Sequence, residues 1–195
     1  MYEQENIEQN KQYKYNKKIL KSTNFLINHY TNKHCKTLVV RCDIRYPSDY
    51  DKNTDTNDDI SRCMRKVRQK YHRQQLDPHF IWVRESEASS HPHFHVAMFF
   101  DGNKVRSYNH VFKTVEEMFK NTIEVDSQGL VNDCMTSKNG KQHENGILLD
   151  RNKDNYPERL RQVHNQLSYL AKQHGKGEYA DGMRDFGMSR IPKTI

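Results

Sequence analysis

The segment Pro92-His93-Phe94-His95-Val96-Ala97-Met98-Phe99-Phe100 constrains the fold more than any other part of the chain. It reads as a buried strand, and successive side chains on a strand point to opposite faces. Phe94, Val96, Met98 and Phe100 then share one face, and His93 and His95 share the other. Two imidazoles side by side on a rigid strand can chelate one divalent metal ion.

Two histidines leave a cation under-coordinated, so a third ligand is expected on the same sheet face. Phe80 to Glu87 reads as the preceding strand, and Ala88-Ser89-Ser90-His91 as a short connection, so the pair forms a hairpin. Glu85 and Glu87 share a face, and Glu85 falls opposite His93 or His95, about 4.5–5.5 Å away as an antiparallel neighbour. Glu85 is the preferred ligand because it lies deeper in its strand; Glu87 and His91 are the alternatives. Two imidazoles and one carboxylate leave positions open for water or substrate. That set suits Mg²⁺ or Mn²⁺ acting as a Lewis acid on a phosphoryl oxygen. The remaining histidines are scattered and are read as surface or core residues.

The rest of the chain supplies a lean α+β scaffold. Its 195 residues favour one domain, and residues 1–36 form a basic, partly helical N-terminal extension to a domain spanning 37–195. Only about a fifth of the residues are Leu, Ile, Val or Phe, so 11 Tyr, 8 Phe and one Trp must carry much of the burial. Leu38 to Arg45 reads as a first strand. Ile60, Met64, Val67 and Tyr71 recur at helical spacing, as do Val111, Val115 and Met118. Residues 124–145 are polar and carry no clear element. Gly146 to Leu149 reads as a further strand. Pro157 suits a helix start, with an apolar stripe at Leu160, Val163, Leu167 and Leu170 and an end at Gly175 and Gly177. The tail from Arg184 to Arg190 has little periodicity.

Charge and composition narrow the partners. The net charge of +7 favours nucleic acid or an anionic membrane surface as the partner. No apolar run approaches the ~20 residues of a membrane span. The four cysteines, Cys35, Cys42, Cys63 and Cys134, form no CxxC pair, which fits reduced thiols in a cytoplasm.

The second chemical feature is Tyr169-Leu170-Ala171-Lys172, on the last helical pattern. Residues three apart share a helix face, so Lys172 can stabilise negative charge near the Tyr169 hydroxyl. A two-histidine metal site followed by a tyrosine with a partner lysine points to phosphodiester transfer onto the tyrosine. Tyr179, ten residues on, is a lesser candidate nucleophile.

His93-Phe94-His95 followed by Tyr169-Leu170-Ala171-Lys172 resembles the HUH endonuclease superfamily. Together with Trp82-Val83-Arg84-Glu85, His91-Pro92 and Arg184-Asp185-Phe186-Gly187-Met188-Ser189, these stretches are similar to inovirus-type replication initiators of filamentous phages and satellites. The resemblance spans residues 37–192. It implies a central antiparallel sheet carrying the HUH strand, with helices packed on it. It also implies a nickase that joins Tyr169 to the 5′ end of cut single-stranded or hairpin origin DNA and starts rolling-circle replication. Metal would sit at His93, His95 and Glu85, and Lys172 would stabilise charge on the phosphate. A transposase or relaxase would use the same chemistry, and an origin-binding module would lack it. No GxxxxGK[ST] phosphate loop is present, so a separate helicase and the polymerase of a bacterial host are the expected partners.

Overall fold

The structure is a computed structural model that describes residues 14–86, 91–105, 107–136, 140–172 and 183–191. Its elements run α1 (Lys17–Lys33), β1 (Lys36–Arg45), α2 (Asp58–Arg73), β2 (His79–Glu85), β3 (His93–Asp101), α3 (Asn109–Ile123), β4 (Val131–Asn132), β5 (Ile147–Asp150), α4 (Tyr156–Ser168) and β6 (Phe186–Met188). The fold is α+β, with a six-stranded sheet in the order β4-β1-β3-β2-β6 and β5 also paired to β1. Every pairing is antiparallel. The His93–His95 strand, β3, therefore lies at the centre of the sheet, hydrogen-bonded on both sides.

Its neighbours are fixed by period-2 patterning on two buried faces. Even-numbered residues such as Val40, Cys42, Phe94, Val96 and Met98 pack under α2 and α3. Odd-numbered residues such as Val39, Ile81, Val83, Ala97 and Phe99 pack under α1 and α4. With helices on both sides, the strands read as nearly continuous apolar runs. A polar residue in such a run stands out.

The helices follow from their sequences. The Asn16 side chain caps α1 by accepting the N–H groups of Lys18 and Ile19 at 3.0 and 3.3 Å. α2 begins with Asp58 and Asp59 and ends with Lys70, His72 and Arg73, which complements the helix dipole at both ends. α1 lies within the N-terminal stretch set apart by its composition. It nevertheless buries Ile19, Leu26, Ile27 and Tyr30 in the second core, none more than 1% exposed.

Two expectations about the C-terminal third need correction. α4 stops at Ser168, before any glycine, and Tyr169–Ala171 forms a 3₁₀ turn. The Ser168 hydroxyl donates to the Asn165 carbonyl at 2.8 Å, and the Ala171 carbonyl accepts the Asn16 N–H at 2.7 Å. Both bonds divert the chain from the helical ladder. Gly175 and Gly177 lie outside the described residues. The tail also contains a strand, β6, which pairs with β2. Its signal is tertiary: a Cβ on Gly187 would stand 2.5 Å from the Trp82 indole, so only glycine lets this short strand approach.

Candidate metal and tyrosine site

The register of the central strands assembles the site on the α1/α4 face. Glu85 pairs directly with His93 across β2–β3, and Asp43 with His95 across β1–β3. Glu85, His93 and His95 offer ligand atoms that all lie within 4.8 Å of one another. Glu85 Oε2 stands 3.1 Å from His93 Nε2 and also contacts His95 Nε2. Both imidazoles thus turn the same ring nitrogen toward one carboxylate. Two nitrogens and one oxygen converging in this way fit a divalent cation with open positions. His91 does not join them: its Nδ1 is 3.3 Å from the Thr54 hydroxyl, and its ring packs on Tyr46 and Tyr50. Glu87 lies outside the described residues.

Tyr169 is brought to the same place. Its ring meets the His95 ring edge-on, with centroids 5.5 Å apart. The Lys172 ammonium lies 4.7 Å from the Tyr169 ring centroid. The 3₁₀ turn explains this proximity, since residues i and i+3 eclipse one another at three residues per turn. The start of α1 holds the turn in place, through the Asn16–Ala171 hydrogen bond and a bridge between Tyr15 and Lys172. Tyr169 remains 42% exposed, one of two large hydrophobic side chains so exposed among the described residues. Tyr179 lies outside the described residues.

The sequence matches the YagK/YfjJ C-terminal domain family over residues 1–189. The chain belongs to this family. No curated protein and no solved structure shows significant similarity to it. Among the described residues of this YagK/YfjJ domain, no helix is long and apolar enough to cross a membrane.

Two residues missing from the sequence reading complete the domain's site. Asp43 lies 2.6 Å from His95 Nδ1, so it orients the ring whose other nitrogen faces Glu85. The Arg41 guanidinium lies 4.4 Å over the Tyr169 ring and 3.5 Å from Asp43. Both come from β1, two residues apart, on the face shared with His93 and His95. Their signal was present: charges at i and i+2 interrupt an otherwise apolar strand.

Burial and charge oppose one another throughout the site. Burial pushes the Glu85 and Asp43 carboxyls up, but their histidine partners outweigh it. Glu85 ends well below the usual carboxylate range, and Asp43 is brought down to about 2. Burial likewise disfavours the charged form of His95, yet Asp43 and Glu85 raise its pKa overall. At Tyr169 burial raises the phenol pKa, with Arg41 pulling the other way. Lys172 is lowered by burial, and repulsion from Arg41 adds to that.

Proposed function

We propose that this domain nicks and rejoins single-stranded DNA by transesterification to Tyr169, with a divalent cation held by Glu85, His93 and His95. The reading rests on one juxtaposition. A half-exposed tyrosine stands against a histidine of a two-imidazole, one-carboxylate cluster, with two cationic side chains over its ring. An ordinary amphipathic helix would not place its tyrosine there. The HUH-like order of His93-Phe94-His95 before Tyr169-Leu170-Ala171-Lys172 supports the same chemistry, and the net charge of +7 suits a polyanionic substrate.

A divalent cation at the cluster supplies Lewis-acid stabilisation of charge on the phosphoryl oxygens. The protein's own groups do the rest. Tyr169 Oη attacks the phosphorus, and a tyrosyl O–P bond forms as the P–O3′ bond breaks. The phenolic proton passes to solvent, which reaches the exposed ring. The departing 3′ oxygen takes up a proton, so the step is proton-neutral. The 5′ end stays on Tyr169 and a free 3′ hydroxyl remains, able to prime synthesis or to reverse the step and reseal the strand. Lys172 offsets charge on the phosphate.

The test is incubation with labelled single-stranded origin DNA and Mn²⁺, followed by peptide mapping of trapped adducts. The expected result is one 5′-phosphotyrosine at Tyr169, abolished in Tyr169→Phe and slowed but retained in Lys172→Ala. Attachment at another tyrosine, or efficient cleavage by Tyr169→Phe, overturns the mechanism. Binding without cleavage would make the domain an origin-binding module.

A further inference from the structure

Arg41 is held more firmly than a surface cation needs to be, and it is under-used where it stands. β4 covers the outer edge of β1 at Asp43 and Ile44, and β5 covers it from Lys36 to Val39. Arg41 falls in the gap between them. There the Asn145 side chain takes the place of a neighbouring strand. Its Oδ1 accepts the Arg41 N–H at 2.9 Å, and its Nδ2 donates to the Arg41 carbonyl at 2.5 Å. Asn145 is 3% exposed, and the same Nδ2 also donates to the Asp133 carbonyl. The Arg41 backbone is therefore pinned on this edge as well as by β3.

The guanidinium has fewer partners than its charge calls for. Its side chain is only 12% exposed. Among the described residues its one ionic partner is Asp43, at 3.5 Å and already engaged by His95 at 2.6 Å. Its Nε is buried with no hydrogen-bond partner. Desolvating a cation without satisfying its donors is costly. A guanidinium offers five donors in a planar fork that matches a phosphate. This one lies over the tyrosine ring beside the metal-type cluster.

We infer that Arg41 is a substrate-contacting residue whose guanidinium binds the scissile phosphate beside Tyr169. The inference rests on the nicking reading and adds to it a further charge clamp, distinct from the Glu85–His93–His95 cluster and from Lys172. It also explains why the polypeptide fixes this one residue with a buried asparagine.

The test pairs two oligonucleotides with the protein carrying Tyr169→Phe, which should bind without cutting. One has an ordinary phosphate at the mapped nick, and the other a neutral methylphosphonate there. Their affinities are compared with and without Arg41→Gln, at fixed Mn²⁺. The phosphate should be preferred, and Arg41→Gln should reduce that preference by about tenfold or more, as for a charged hydrogen bond. Arg41→Lys should restore part of it. If Arg41→Gln weakens both oligonucleotides equally, or neither, Arg41 does not touch that phosphate and the inference fails. A preference that survives alongside weaker Mn²⁺ binding fails it too, because Arg41 would then act only through Asp43. Adducts formed by Tyr169→Phe would instead sink the nicking reading, so the two failures are distinguishable.

Discussion

Replacing Asp43 by Asn removes one negative charge from a buried chain of contacts and leaves its shape nearly intact. Asp43 Oδ1 lies 2.6 Å from His95 Nδ1, and His95 Nε2 faces Glu85. Loss of such an orienting partner typically lowers metal affinity 10–100-fold, or about 1.4–2.8 kcal/mol. Asparagine can still accept from the imidazole N–H, so Asp43→Asn should fall near the lower end, about tenfold. Asp43→Ala loses orientation as well as charge and should fall near the upper end. Titration calorimetry with Mn²⁺ measures both. The pH dependence has a definite sign. The carboxylates of Asp43 and Glu85 raise the His95 pKa against the opposing effect of burial. A cation must displace the proton so stabilised, and affinity therefore rises as pH rises through that pKa. Without the Asp43 charge the imidazolium is less favoured, and affinity levels off at a lower pH. The deficit of Asp43→Asn should thus be small in acid and largest on the alkaline plateau. A well-folded Asp43→Asn protein that binds Mn²⁺ as tightly as wild type on that plateau would refute the orienting role.

Four further outcomes are expected. His93→Ala or His95→Ala should abolish Mn²⁺ binding, and Glu85→Ala should weaken it more than Glu87→Ala; undiminished calorimetric binding by the double histidine variant contradicts the cluster. DNA affinity should fall with salt at a log–log slope of ~0.7 per neutralised phosphate on a single strand, and charge reversal at Arg65 or Arg68 on α2 should flatten that slope if this helix carries the contacts. Asp77 accepts from Lys33 Nζ at 2.7 Å and pairs with His34 Nε2 at 2.9 Å, and these partners overcome burial to bring its pKa down to about 2. A depressed carboxyl pKa stabilises the fold above the unfolded value and loses that effect as pH falls through the folded one, so Asp77→Asn should cost about 1 kcal/mol at neutral pH, because solvent screens the half-exposed Lys33 ammonium. The difference should shrink below about pH 4 and vanish only well below about pH 2, as read by denaturant unfolding across that window. Gly187→Ala should destabilise by about 1–3 kcal/mol through overpacking and shift the fluorescence of Trp82, the single tryptophan; an unchanged spectrum and midpoint would show that β6 yields without strain.

The local chemistry of this protein is written in its sequence, and the convergence of that chemistry is not. Alternation along His93–Phe100 put both histidines on one face, because strand geometry has a period of two whatever the surroundings. The same rule, with a short hairpin connection, placed Glu85 across from His93 or His95, and the observed register sets it opposite His93. Spacing alone paired Tyr169 with Lys172, although a 3₁₀ turn rather than an α-helix brings them together. The tertiary structure decided the rest. Arg41 and Asp43 lie about fifty residues before the histidines, and only the β1–β3 register sets Asp43 opposite His95. Asn145 sits in a stretch with no periodic signal, and its role arises from a gap that two short strands leave on β1. β6 exists because Trp82 and Gly187 fit one another, a fact invisible in a three-residue strand. Periodicity reports which side of an element faces the core, since burial acts residue by residue along one axis. It carries no record of which distant element lies on that side, because long-range pairing is chosen by the packing of the whole sheet.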